Sequence, residues 1–220
     1  MTTVRRRAPA RPRRPYHHGD LPRAMVQEAV RTIQEHGIPA LTLRGVGAQL
    51  GVSRTALYRH FTDKQALLGA VAAEGFRLLS AALVAARDGA GGGRPGFEAM
   101  GTAYVRFALE HPSHYRVMFG GVVRSGDLKQ LSVPKVDVDA FQVLVDAIVE
   151  LQQKHLIVPG EPRELALYIW AVVHGVAMLA LDGMLPPQVS AAALMALANE
   201  RIRSGIAVSP AAIAGRREPR

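Results

Sequence analysis

Four polar side chains near the start of the chain have the types and the spacing that contact nucleic acid. They are Arg54, Thr55, Tyr58 and Arg59. All four fall on the outer side of a short helix predicted over residues 54–60, while Leu57 and Phe61, four residues apart, face inward. A guanidinium donates paired hydrogen bonds to guanine, and hydroxyl groups donate to phosphates. The pattern therefore indicates a helix that reads DNA.

The residues before this helix predict the turn that orients it. Thr42 precedes an apolar set with helical spacing and has the side chain of an N-cap, and Gly51 follows the set as a left-handed stop. That apolar set is Leu43, Val46 and Leu50. Ser53 is the second N-cap, so two short helices meet at a glycine-centred turn. This is the build of a helix-turn-helix.

Two longer helices flank the pair. Asp20 caps the upstream helix, which ends at Gly37, and either Thr62 or Asp63 caps a downstream helix that continues to about residue 87. Lys64 falls in the first turn of the downstream helix, where the helix dipole disfavours a cation. A DNA phosphate bound there would offset this cost.

The positive charge of the chain is concentrated around this unit. The chain has 220 residues and a formal net charge of +9; residues 1–66 carry 12 Lys and Arg against 4 Asp and Glu, and residues 67–220 carry 15 against 14. Residues 1–15 alone contain six Arg and no acid, and we interpret them as a disordered basic arm. The arm is either a solvated tail or a DNA-backbone or minor-groove contact.

Composition and spacing argue against several other classes of protein. The chain has no cysteine, which excludes a disulfide framework and suits a reducing cytoplasm. The adjacent pair His17 and His18, and the pair His111 and His114 with a proline between them, are poor metal chelates, so no metal site and no cofactor are predicted. No uninterrupted apolar run is expected to cross a membrane. No nucleophile-elbow, phosphate-loop or paired-carboxylate pattern indicates an enzyme.

The rest of the chain is predicted to be helical, so the fold class is all-α: a three-helix DNA-binding domain followed by a helical bundle. Helices are expected at about 97–110, 113–119, 136–155, 163–181 and 189–203, with a break at 88–96 and a loop at 120–134. The predicted domains are the arm at 1–15, a DNA-binding domain at 16–66, a ligand-binding and dimerisation domain at 67–208 and a tail at 209–220.

The helix at 163–181 is apolar on nearly every side and must be buried on every side. In a domain of this size that requires a partner subunit, with the Ala- and Leu-rich helix at 189–203 in the same interface. Val173 and Val176 are expected to face the partner.

A set of aromatic residues, methionines and one histidine is nominated to line a small-molecule cavity in the bundle. They are Tyr104, Phe107, Tyr115, Met118, Phe119, Phe141, Trp170, His174 and Met178. Each is also compatible with plain core, and His174 is either a hydrogen-bonded core histidine or a pocket residue.

The chain resembles the TetR family of transcriptional regulators. The resemblance lies in Tyr16-His17-His18-Gly19-Asp20-Leu21, Leu57-Tyr58-Arg59-His60-Phe61, Asp63-Lys64 and Ala66-Leu67-Leu68, and it covers residues 16–70. The C-terminal half resembles the subgroup named for a Trp-His-Gly signature, through Pro112, Tyr115, Met118-Phe119-Gly120 and Trp170 with His174-Gly175.

The resemblance implies a homodimer and an effector pocket in the C-terminal bundle. It implies that Arg44 contacts a base or phosphate and that Arg54 and Thr55 read bases. It implies that the remaining DNA contacts are to phosphates, from Thr42, Ser53, Tyr58, His60 and Lys64. The leading interpretation is a ligand-responsive repressor that binds palindromic DNA. The alternatives are a DNA-binding protein without an effector, acting architecturally or as an activator, and an enzyme.

Overall fold

A computed structural model describes residues 20–121 and 139–206, and every regular element in these two stretches is helical. The reading unit comprises α1 (Leu21–His36), the 3₁₀ turn η1 (Ile38–Ala40), α2 (Leu43–Leu50) and α3 (Arg54–Tyr58). The bundle comprises α4 (Lys64–Gly89), α5 (Gly93–Glu110), α6 (Pro112–Phe119), α7 (Ala140–Gln153), α8 (Pro162–Leu181) and α9 (Ala191–Ile206). The all-α prediction is confirmed. The arm at 1–15 and the tail at 209–220 lie outside the described residues.

The predicted helix starts and stops in the reading unit are confirmed. Asp20, Thr42 and Ser53 each accept a hydrogen bond from the backbone N–H three residues ahead, at 3.2, 3.0 and 3.3 Å. Gly51 is left-handed, with φ +69°. Asp63 caps α4, because its carboxylate accepts from the Ala66 N–H at 2.8 Å. These signals are predictable because each acts over three residues.

Several predicted boundaries are wrong, and the largest differences are at the end of α3 and between α4 and α5. Helix α3 ends at Tyr58, so Arg59 and His60 lie in the following turn rather than in the helix. The predicted break at 88–96 is much shorter, because α4 continues to Gly89 and α5 begins at Gly93. Pro95 is tolerated there because the first turn of a helix makes no intrahelical bond through its N–H groups.

Helices α2 and α3 cross at a close contact between Gly47 and Leu57. A Cβ placed on Gly47 would overlap Leu57 Cδ1, and Leu57, 2% exposed, has little room to move away. One hydrophobic cluster continues from this crossing, through α1 and α4, into the bundle as far as Ala198. The orientation of the reading helix is therefore fixed by the same core that holds the bundle.

Helix α8 is not buried on every side within one chain. Leu167 and Tyr168 are 56% and 52% exposed, and Leu179 is also exposed. The expectation that Val173 and Val176 face a partner is wrong, because both are buried inside the chain's own bundle. By length and composition alone α4 and α8 would also suffice to cross a membrane; α4 is mostly buried in the structure, as a core helix would be.

Replacing Gly47 with alanine is predicted to destabilise the protein by about 1–3 kcal/mol, because the new methyl overlaps the Leu57 side chain. Chemical denaturation of the two proteins measures this difference. In a Leu57→Ala background the same glycine substitution should cost much less, since the overlapping methyl is gone. An equal cost in both backgrounds would contradict the assigned contact.

Candidate DNA interface and ligand cavity

The outer side of the helix-turn-helix presents a polar, basic surface. Arg44, Arg54, Thr55, Tyr58 and His60 are exposed, as predicted for groups that contact DNA. The Arg54 guanidinium lies over the Tyr58 ring, 5.5 Å from its centroid. A cation held over an aromatic ring is restrained but keeps its N–H groups available. The stacking therefore restrains the Arg54 guanidinium at the N-terminal end of α3, where Arg54 is exposed.

Two of the nominated phosphate contacts also act as helix caps. The hydroxyl oxygens of Thr42 and Ser53 accept backbone N–H bonds, so each hydroxyl keeps its own proton to donate. A phosphate oxygen is an acceptor, and the two functions are therefore compatible in one side chain.

Lys64 has protein partners that the sequence did not indicate. Its ammonium donates to the carbonyl oxygens of Ile38 and Pro39, at 2.8 and 3.3 Å. The contact ties the start of α4 to η1, 25 residues upstream. Lys64 therefore has a structural role, and its phosphate contact stays a prediction.

Charge separates the reading surface from the neighbouring face of α1. On α1 the Arg31 guanidinium pairs with Glu28 at 2.6 Å and with Glu35 at 3.1 Å, so one cation there is shared by two carboxylates. No comparable ion pair involves Arg44, Arg54 or Arg59 among the residues described. The α2–α3 side would therefore present uncompensated positive charge to a phosphate backbone.

The bundle contains a partly open cavity of about 230 Å³ whose wall is mostly apolar. Five of the nominated residues line it: Tyr104, Met118, Phe119, Phe141 and Trp170. Sequence reasoning missed the contribution of α4 (Phe76, Leu79 and Leu83), that of α9 (Asn199 and Ile202) and that of the other lining residues, Phe97, Met100, Gly101, Asp139, Ala140, Leu144, Ile169 and Val173. An apolar cavity with few polar groups is the usual form of a small-molecule site.

Phe107, Tyr115, His174 and Met178 do not line the cavity. Tyr115 and His174 instead form a polar cluster beside it, together with Tyr104 and Trp170. The Trp170 indole N–H donates to the Tyr104 hydroxyl at 3.0 Å. The Tyr115 hydroxyl lies 2.7 Å from His174 Nδ1 and 3.1 Å from the Tyr104 hydroxyl. His174 is thus a hydrogen-bonded histidine, the first of the two alternatives.

Burial keeps this polar cluster uncharged. It raises the pKa of the Tyr104 phenol to about 12 and also raises that of Tyr115. It lowers the pKa of His174. Neutral groups that satisfy one another can be buried at little cost, so the cluster stabilises the junction of α5, α6 and α8.

A second buried polar contact joins α6 to α4. His114, 7% exposed, lies with Nε2 3.3 Å from a Glu74 carboxylate oxygen. This hydrogen bond lowers the pKa of Glu74, and the nearby charges of His114, Arg77 and Arg23 lower it further. Arg23 belongs to α1, so the pair sits where the bundle meets the reading unit. Within residues 20–121 and 139–206, no group of three or more His, Asp or Glu side chains could hold a metal ion.

Two family models match the chain. Residues 26–71 match the bacterial regulatory proteins of the tetR family, and residues 97–201 match the tetracyclin repressor-like C-terminal domain. With the helix-turn-helix described above, these matches define an all-helical DNA-binding transcription regulator. The chain belongs to the TetR family of transcriptional regulators.

Individual relatives agree with this assignment. The class A tetracycline repressor protein of Escherichia coli transposon 1721 is 35% identical over 117 residues, which span 40% of this chain and 54% of the repressor. A structure from Rhodococcus sp. RHA1, described as a protein of unknown function, is 34% identical with TM-score 0.78, over 89% of this chain and 100% of that one. A TetR-family regulator from Pectobacterium atrosepticum, 22% identical with TM-score 0.64 over 87% and 96% of the two chains, shares the fold.

Replacing Glu74 with glutamine is predicted to lower the free energy of unfolding at neutral pH by about 0.5–1.5 kcal/mol. Because folding lowers the pKa of Glu74, its contribution is complete above the unfolded-state value and is lost as the pH falls through the folded-state value. The difference between the two proteins should therefore shrink in acid. Denaturation curves across the acidic range measure it.

The matched control is Glu110→Gln, since Glu110 forms only an exposed pair with Arg106 at 3.9 Å. It should change stability little at any pH. A Glu74→Gln effect that stayed constant down to full protonation would show that the carboxylate charge is not what stabilises the pair.

Proposed function

We propose that this chain is a ligand-responsive repressor that binds a near-palindromic operator as a homodimer and is released by a small-molecule effector. The observation that carries the proposal is the path of α4. The helix begins at Lys64, in contact with the reading unit, and lines the bundle cavity at Phe76, Leu79 and Leu83. One unbroken helix thus connects a DNA-reading surface to a small-molecule site.

A homodimer is supported by an apolar stripe that the chain leaves open. On α8 it consists of Leu167, Ala171, Gly175 and Leu179, spaced four residues apart. A Cβ on Gly175 would meet nothing within 4 Å, and Leu197 adds a 47% exposed leucine on α9. Small residues in the middle of such a stripe let two helices approach closely. The proposed interface is therefore α8 and α9 against their copies, related by a two-fold axis.

A two-fold dimer with one reading helix per chain requires two half-sites. Their centres should be about 34–36 Å apart, one turn of DNA, because the two reading helices must enter successive major grooves on one side of the DNA. In this arrangement Arg54 and Thr55 read bases and Arg44 contacts a base or phosphate. Thr42, Ser53, Tyr58, His60 and Lys64 hold phosphates.

Release by an effector is supported by the position of α6. Met118 and Phe119 line the cavity, while His114 on the same helix contacts Glu74 on α4. A molecule that enlarges the cavity would displace α6 or α4 and change the separation of the two reading helices. It can do so only if it binds the DNA-incompetent arrangement more tightly, with a coupling of about 1–3 kcal/mol.

The other hypotheses have less support. A DNA-binding protein without an effector, architectural or activating, leaves the cavity unexplained. An enzyme would need converging nucleophilic or acid–base groups; the buried tyrosines and histidine beside the cavity are neutral and pair with one another. A cytoplasmic location is part of this proposal, since the operator is there. The proposal also includes residues 1–15 as a basic arm and a domain boundary after residue 66. It further includes membership of the Trp-His-Gly subgroup, which Trp170, His174 and Gly175 support.

Arg54→Ala is predicted to weaken binding to the operator by about 1–3 kcal/mol and binding to random DNA much less, because a base contact is lost. The operator is first obtained by selection from a random DNA library, and footprinting should show two protected half-sites. Lys64→Ala should weaken binding to both DNAs alike and reduce the salt slope by about one unit. Equal behaviour of the two variants, or protection of a single half-site, would contradict the assigned contacts.

Leu167→Glu is predicted to dissociate the dimer, because a carboxylate would be buried without a partner at the two-fold interface. Sedimentation measures the assembly and circular dichroism confirms that the fold persists. Leu109→Glu is the matched control, since Leu109 is a 44% exposed leucine on α5, outside the stripe. Dissociation by both variants, or by neither, would be evidence against the α8–α9 interface.

A further inference from the structure

The described part of the cavity wall carries charge of a single sign. Among the described residues that line it, one side chain is charged, the carboxylate of Asp139, and none is Lys or Arg. This is notable in a chain with a net charge of +9. Asp139 is exposed at the N-terminal end of α7, so its carboxylate lies at the edge of the cavity, where it would repel an anionic ligand and attract a cationic one.

The rest of the wall favours positive charge. Six aromatic side chains line the cavity: Phe76, Phe97, Tyr104, Phe119, Phe141 and Trp170. The face of an aromatic ring attracts a cation, most strongly where water is excluded. Phe141 already shows this behaviour, because the exposed Arg163 guanidinium lies 5.2 Å from its ring centroid.

The polar atoms that a ligand in the cavity could reach are acceptors, so they fit a ligand that carries a hydrogen-bond donor. One oxygen of Asp139 accepts the Phe141 N–H at 2.9 Å and caps α7, which leaves the other oxygen free of described partners. The Asn199 amide donates to the Glu98 carbonyl at 3.3 Å and keeps its own carbonyl oxygen as an acceptor. The Trp170 N–H and the two phenols are engaged in the polar cluster beside the cavity.

We propose that the cavity binds an organic cation, a flat aromatic amine that is protonated at neutral pH. Its ring lies among the aromatic side chains and its N–H group donates to the free oxygen of Asp139. The inference rests on the proposed function only in calling this molecule the effector. Its binding can be measured without DNA.

Three probes that share one ring system test the sign of the charge. 4-Aminoquinaldine is protonated at neutral pH, quinaldine is neutral and quinaldate is anionic. Calorimetry with the full chain should show 4-aminoquinaldine binding at least about tenfold more tightly than quinaldine, and quinaldate not binding. Quinaldine or quinaldate binding as tightly as the cation overturns the proposal, and so does failure of 4-aminoquinaldine to bind at about 1 mM.

Asp139→Asn tests the residue without removing the helix cap, because the amide oxygen can still accept the Phe141 N–H. It should weaken 4-aminoquinaldine about five- to tenfold and leave quinaldine unchanged, since only the charge is removed. Asp146→Asn is the matched control: Asp146 is an exposed aspartate on the same helix, outside the cavity lining, and should change neither affinity. Equal weakening of both probes by Asp139→Asn would overturn the charge assignment.

Operator binding measured by fluorescence anisotropy separates this inference from the proposed function. Release of the operator by 4-aminoquinaldine supports both. Tight, Asp139-dependent binding of the cation with no effect on operator affinity supports the cation site and contradicts effector release. Release by quinaldine alone, with no preference for the cation, supports the proposed function and overturns the cation site.

Discussion

The close approach of α4 and α6 at Gly75 is the contact that joins the cavity wall to the helix that leads into the reading unit. A Cβ at Gly75 would lie 2.5 Å from Met118 Sδ and 3.2 Å from the His114 Cβ, so the two helices touch through backbone on one side. Met118 is also part of the cavity wall, and His114 holds Glu74. Interiors packed this closely are nearly incompressible. In the proposed mechanism, a ligand that pushes on Met118 therefore displaces α4 or α6.

The polar contacts show which parts of the bundle are built to stay in place. The cluster of Tyr104, Tyr115, Trp170 and His174 joins three helices with mutually satisfied neutral groups, and moving one member would leave the others unpaired in an apolar environment. The cavity residues contributed by α4 (Phe76, Leu79 and Leu83) are apolar. Apolar contacts are non-directional and can re-form after a shift.

Local signals in the sequence predicted the reading unit well, and long-range contacts explain what they missed. Asp20, Thr42, Gly51 and Ser53 act within one helical turn, so their roles follow from their neighbours in sequence. The two carbonyl groups that accept from Lys64 lie 25 and 26 residues upstream, so the sequence around Lys64 does not indicate them. In the cavity, aromatic type was enough to nominate Phe119, Phe141 and Trp170. It was not enough to place Phe76 and Leu79, because α4 is apolar on more than one side and periodicity does not say which side meets a void. The expectation that Val173 on α8 faces a partner was wrong for the same reason.

In the proposed mechanism, the length of α4 lets a small change in the cavity release DNA. A helix of 26 residues spans about 39 Å at 1.5 Å per residue. A tilt of roughly 5° about its far end moves its first residue by about 3.4 Å, the rise of one base pair. In a two-fold dimer the displacement occurs in both chains, and the separation of the reading helices changes by up to twice that amount. The reading unit cannot adjust independently, because Lys64 fastens the start of α4 to η1 and one hydrophobic core extends through both halves. In the proposed mechanism, the rigidity that orients Arg54 thus also makes the reading helix sensitive to the cavity.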